Sequence, residues 1–210
     1  MADRQSRIGA VVLAAGASVR FGSAKQLAVV NGVPLVRRAA EAALGAGARP
    51  VVVVLGASAK SIAPVLDGLS EVTSVVNDEW STGMASSLVS GLRALRNEPH
   101  LDGVLVTLAD QPAVDADSLR TLISAFDDTN RIVAAAYSGT FGVPALFGRE
   151  HIESLLTLHG DNGAGFWLRD RSSKVTCVSL DVAAFDLDTP HDMTRLVHGG
   201  LLFAPPSRNA

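Results

Sequence analysis

Two hydrophobic rhythms alternate along this chain of 210 residues. Short β-branched runs, apolar on both faces, predict strands at Ile8–Ala15, Pro50–Leu55, Val72–Val76, Leu101–Leu108 and Ile132–Ala136. Between them lie stretches with apolar residues at helical spacing: Pro34–Gly47, Ser58–Leu66, Met84–Leu95 and Asp115–Phe126, the last with Asp115 as its cap. Strands apolar on both sides and separated by helices imply an α/β fold. Its sheet is mostly parallel, with helices over both faces.

After Tyr137 the rhythm loosens. SGTFGVPALFG suggests a pair of short extended pieces around a turn. Short helices follow near Arg149–Leu158 and Gly163–Asp170, then a strand at Lys174–Leu180, and AFDLDTPHDMTRLV closes the fold. There is no internal repeat and no linker, so residues 1–198 read as one domain. The Gly/Pro-rich residues 199–210 read as a flexible tail or a partner contact.

Composition narrows the function classes. With 48% hydrophobic residues and a mean hydropathy of +0.28, the chain has material for a large core and lacks the signature of disorder. A formal charge of -3 removes the electrostatic case for general nucleic-acid or membrane-surface binding. No apolar run approaches the roughly 20 residues that cross a bilayer. The basic flank and apolar residues of MADRQSRIGAVVLAAG run directly into GASVRFGSAK, which reads as a strand and a working loop rather than a leader. The single cysteine, Cys177, sits in the β-rich run KVTCVSL and is expected to be a buried thiol. A cytoplasmic protein is the expectation.

In sheets of this kind ligands gather where loops leave the carboxyl ends of strands. The loop after the first strand carries Gly16 and Gly22 around Arg20, with Lys25 close behind. Glycines let backbone N–H groups approach phosphate oxygens, and the two cations supply charge for a triphosphate. The spacing fits neither common phosphate loop. Ser23 and Ala24 separate Gly22 from Lys25, which breaks a Walker A pattern, and Gly16–Ala17–Ser18 breaks a dinucleotide fingerprint.

The full string LAAGASVRFGSAKQL resembles the signature LAAGxSxRxGxxKxL of cytidylyltransferases related to molybdenum cofactor cytidylyltransferase, within the nucleotidyltransferase superfamily. Five further blocks follow in order: NDEWSTGMASSLVSGL, LADQP, GVPALFGRE, GDNGAG and DLDTPHDM. The resemblance implies a nucleotidyltransferase fold in which the Leu13–Ala14–Ala15–Gly16 backbone holds base and ribose. It implies triphosphate binding by Arg20 and Lys25, and Mg²⁺ held by Asp110 and Asp188. The stretch Gly83–Ser87, with Ser86 and Ser87, would lie against the nucleotide; Arg20, Lys25 and Asp110 would be catalytic. LAAG resembles the cytidine-using branch, where the guanine-using branch more often has LAGG. This sequence departs from the pattern at Ala109 (commonly glycine), Val143 (commonly histidine) and Gly165 (commonly arginine), the last two in the half expected to receive the second substrate.

The residues themselves are compatible with that chemistry. Asp110 follows an apolar strand, and Asp186 and Asp188 alternate in FDLD, which turns both to one side of an extended segment. Mg²⁺ takes one or two carboxylates together with substrate phosphates. Asp188 has a competing role, since Asp-Thr-Pro commonly opens a helix. The five histidines show no metal-ligand spacing, Ser86, Ser87 and Ser90 lack a GxSxG context, and Trp80 and Trp167 read as packing residues. The implied reaction moves CMP from CTP to the phosphate of a molybdopterin-type acceptor and releases pyrophosphate. Three alternatives stand beside it: GTP as donor, a sugar or polyol phosphate as acceptor, and a non-catalytic carrier that hands the cofactor to a molybdoenzyme client.

Overall fold

The computed structural model describes residues 6–98 and 100–198. Chain order is β1 (Ile8–Ala14), the small antiparallel pair β2 (Val29–Val30) and β3 (Val33–Pro34), α1 (Leu35–Gly45), β4 (Val51–Leu55) and α2 (Ala59–Ile62). Then come β5 (Val72–Val76), α3 (Met84–Ala94), β6 (Gly103–Leu108), α4 (Ala116–Ser124), β7 (Ile132–Tyr137) and β8 (Thr140–Gly148). The chain continues through α5 (Ile152–Leu155), α6 (Ala164–Asp170), β9 (Val175–Ser179) and α7 (Pro190–His198).

Seven strands form one sheet in the order β5-β4-β1-β6-β8-β7-β9. Only β8 runs against the others, pairing antiparallel with both β6 and β7. Alternation along β1 divides the core in two, as the twofold side-chain period requires. Ala10, Val12 and Ala14 pack beneath α1, α2 and α4; Val11 and Ala15 pack beneath α3, α5 and α6. All five residues of β4 are buried, as expected for a strand covered on both faces. The predicted cap is present too: Asp115 Oδ1 accepts the Ser118 N–H at 2.9 Å. Among the described residues no helix is long and apolar enough to cross a membrane.

Two expectations change. The extended pieces after Tyr137 are not a short pair: β7 turns at Ser138 and Gly139, both with positive φ, into the nine-residue β8. Two positive-φ residues make the tight turn whose twist suits a hairpin. Cys177 is exposed rather than buried, and β9, which carries it, is an edge strand. The suggested tail, 199–210, lies outside the described residues.

Register brings the functional ends level. Leu13 pairs with Leu108 on one side, and Ala14 with Leu55 on the other. A small third cluster, Val30, Leu35, Leu187 and Leu196 with Phe21 and Phe185 against it, ties the end of the described chain to the first loop.

Candidate active site

The loop after β1 is folded back on its own strand by a side chain. Gln26, 3% exposed, donates from Nε2 to the carbonyls of Ala14 (3.0 Å) and Gly16 (2.8 Å). Ser18, in the left-handed region at φ 55°, donates its hydroxyl to Gln26 Oε1 at 3.1 Å. A single helical turn over Lys25–Leu27 completes the return and sets Lys25 over the ends of β1 and β6.

There Lys25 meets both aspartates. Its Nζ lies 2.7 Å from Asp110 Oδ2 and 2.8 Å from Asp188 Oδ1, and Arg20 reaches Asp188 Oδ2 at 2.8 Å. The cations differ in setting: the Lys25 side chain is 13% exposed, that of Arg20 72%. Burial works against the Lys25 charge, but the carboxylates of Asp110 and Asp188 outweigh it and hold Lys25 above the ordinary lysine range. The Lys25 hydrogen bond, with the charges of Lys25 and Arg20, draws Asp188 below the usual carboxylate range.

Backbone contacts explain how Asp188 arrives. Leu187 N–H donates to the Asp110 carbonyl at 2.8 Å, which lays the extended segment Phe185–Asp188 along the end of β6. The start of α7 is capped by other residues. Asp192 Oδ2 accepts from the Thr189 N–H at 2.8 Å, and Asp192 N–H donates to Thr189 Oγ1 at 3.3 Å. This reciprocal box resolves the competing role of Asp188 and leaves its carboxylate to the cation cluster. Asp186 is pushed up to about 6 by burial and by the charges of Asp110 and Asp188. Its side chain is exposed overall, so burial acts on it with reduced force.

Two hollows of about 210 and 400 Å³ adjoin at Leu13, Gly16 and Asp110. The smaller holds Arg20, Lys25 and Asp188; the larger is bounded by Ala15, Trp80, Gly83, Met84, Ser87 and Asp161. Gly83 has φ 124°, and a Cβ there would collide with the Gly160 carbonyl, so only glycine allows the two loops to close the wall. Asn77, buried, fixes the start of α3 by donating to Ser86 Oγ (2.9 Å) and Ser87 Oγ (3.0 Å).

The structure therefore gathers Leu13, Ala14, Gly16, Arg20, Lys25, Asp110 and Asp188 around one hollow, and Ala15, Gly83 and Ser87 around its neighbour. Ser86 stands apart: its hydroxyl donates to the Glu79 and Gly83 carbonyls and faces a different recess with Arg93 and His159. Gln26, Asn77 and Asp161 have structural places here that sequence reasoning missed. Nothing in the spacing of an isolated amide signals which carbonyls it will bind. Trp80, read as a packing residue, lines the larger hollow.

The pair Asp110–Asp188 fits a hard divalent cation. Both carboxylates already face one positive atom, and Asp110 Oδ1 is buried without a hydrogen-bond partner. Among the described residues no three His, Cys, Asp or Glu side chains converge, so protein ligation would be limited to this pair.

Comparison with known proteins gives the family and the fold. The family described as MobA-like NTP transferase domain matches residues 10–175. The chain is 36% identical over 200 residues to nicotine blue oxidoreductase of Paenarthrobacter nicotinovorans, covering 89% of this chain and 95% of that one. Rv0371c of Mycobacterium tuberculosis, also solved in a complex with manganese, superposes with a TM-score of 0.75 at 31% identity, over 92% of this chain and 98% of its own. A nucleotidyl transferase from Methanothermobacter, Mth528, gives 0.78 at 25% identity, over 93% and 98%.

Proposed function

The chain belongs to the family of MobA-like NTP transferase domains, and from that premise we propose that it transfers CMP from CTP to the phosphate of a molybdopterin-type acceptor. In that reaction an acceptor phosphate oxygen bonds to the α-phosphorus of CTP. The bond from that phosphorus to the bridging oxygen breaks, and pyrophosphate leaves with the electron pair. An ionised phosphate needs no general base, so the protein supplies position and charge.

One observation carries the reading: Arg20, Lys25, Asp110 and Asp188, from three distant segments, converge beside the glycine loop. The Leu13–Gly16 backbone would receive base and ribose, with Gly83 and Ser87 across the cleft. Lys25 and Arg20 would neutralise charge growing on the pyrophosphate. Mg²⁺ held by Asp110 and Asp188 would supply Lewis-acid neutralisation of phosphate charge when bound. A non-catalytic carrier has no use for this full set. We place the reaction in the cytoplasm, with a molybdoenzyme as the client for the product.

The Paenarthrobacter relative supports a second reading, since its name is that of an oxidoreductase. A single experiment separates the readings. The protein is incubated with each NTP, Mg²⁺ and molybdopterin, with sugar and polyol phosphates as alternative acceptors, and pyrophosphate is measured. Parallel samples follow oxidation of a reduced nicotinamide nucleotide in the presence of nicotine blue. Pyrophosphate with CTP and molybdopterin alone is the expected result; no pyrophosphate with any acceptor, together with nicotinamide oxidation, would transfer the case to the second reading. CTP should also bind more tightly than GTP in calorimetric titration, and Ala15→Gly should narrow that gap.

A further inference from the structure

The lysine expected to grip the triphosphate is engaged elsewhere in this structure. Its ammonium lies between the carboxylates that suit a divalent cation, 2.7 Å from one and 2.8 Å from the other. We propose that Lys25 is an exchangeable internal counter-ion, excluding a divalent cation from the Asp110–Asp188 pair until a polyphosphate draws it away. Metal and nucleotide would then bind cooperatively. This rests on the nucleotide reading given above.

Three physical points support it. The ammonium occupies the gap that a divalent cation would fill between the two carboxylates, and like-charge repulsion opposes both being held there together. Lysine suits an exchanging role, since it is a compact point charge on a flexible four-carbon stem. Finally, the site holds only two carboxylates among the described residues, whereas Mg²⁺ or Mn²⁺ seeks about six oxygens. A cation arriving alone must displace Lys25 and gains few ligands. Arriving with a triphosphate, it finds phosphate oxygens, and the phosphates give the displaced ammonium a new partner. Arg20 is less suited to the part: it touches Asp188 only, and its side chain is largely in solvent.

Linkage makes the coupling reciprocal, so metal must improve nucleotide affinity by the factor that nucleotide improves metal affinity. The test begins without nucleotide. Binding of Mn²⁺ alone is measured by electron paramagnetic resonance on the whole protein, on Lys25→Gln and on Lys25→Gln/Asp188→Asn. Lys25→Gln should bind Mn²⁺ roughly 10- to 100-fold more tightly, the span expected for one charged hydrogen-bonded contact. The added Asp188→Asn change should cancel the gain. Equal affinity in wild type and Lys25→Gln overturns the proposal.

A second measurement needs no variant and decides the matter should Lys25→Gln fail to fold. Reductive methylation of wild-type lysines is followed by mass spectrometry, with the exposed Lys60 and Lys174 as internal references. Lys25 should label slowly alone and faster with saturating Mn²⁺; labelling indifferent to Mn²⁺ overturns the exchange. If Mn²⁺ releases Lys25 but no nucleoside triphosphate alters its labelling or the Mn²⁺ affinity, the exchange stands while the coupling and the nucleotide reading fall.

Discussion

The two hollows that meet at Asp110 are built on different principles. On the Lys25 side, polar side chains are bound to each other or to backbone: Gln26 holds two carbonyls, Lys25 holds two carboxylates, and Arg20 holds one. On the Trp80 side the wall is made by close backbone approach at Gly83 and Gly160, with Met84 half exposed at 52%. Of the three departures from the motif, Ala109 lines the charged hollow, while Val143 and Gly165 line neither. Val143 packs with the apolar cluster and offers only its carbonyl, at 3.4 Å from Gln111 Nε2. Gly165 leaves open space: the nearest atom to a Cβ there is Arg169 Nη1, at 3.7 Å.

That contrast is breakable, and the largest effect belongs to the charged side. Asp110→Asn or Asp188→Asn keeps shape and removes one charge; single-turnover rates should fall by roughly 100-fold or more, with much smaller loss of nucleotide affinity. The double variant should lose little beyond either single, because the two act as one unit. Full activity in Asp110→Asn would sink the site. Lys25→Ala should next weaken nucleotide binding by roughly 10- to 100-fold, checked by calorimetry at temperatures where thermal melts show the variant folded.

On the other side, Gly83→Ala should destabilise the protein by about 1–3 kcal/mol through left-handed strain alone, and the collision with Gly160 adds to it. A normal melt would mean that the two loops need not touch. The smallest effect concerns Asp186. Its carboxyl is raised from 3.8 to about 6, so the folded state takes up a proton more readily than the unfolded one. Stability from this group is therefore greatest at low pH and is lost as pH rises from about 4 through about 6. Asp186→Asn should melt above wild type by about a degree or two at neutral pH, with the gap closing in acid. A gap that widens in acid would reverse the assignment.

Much of the first hollow was legible because its signals are local. Strand ends, glycine spacing and the cations of the loop all lie within one string, Leu13–Lys25. Asp188 was expected from the family resemblance, with alternation putting it on one side with Asp186, but its freedom was not legible, since the Thr189–Asp192 box that takes over the capping is a tertiary outcome of competing hydrogen bonds. The same holds for Ser86, three bonds of which turn it from the cleft.

By itself the sequence determined the alternation of buried strands and amphipathic helices, and with it a parallel sheet covered on both faces. Periodicity is written residue by residue, and burial of both strand faces leaves little else for such a chain to form. It also determined which side chains could carry charge at the strand ends. Only the tertiary structure decided that β8 reverses between β6 and β7, that Cys177 falls on an edge, and that Lys25 lies between Asp110 and Asp188. The last of these depends on contacts between residues 85 and 163 positions apart, and no local pattern encodes which partner a flexible charged side chain will reach.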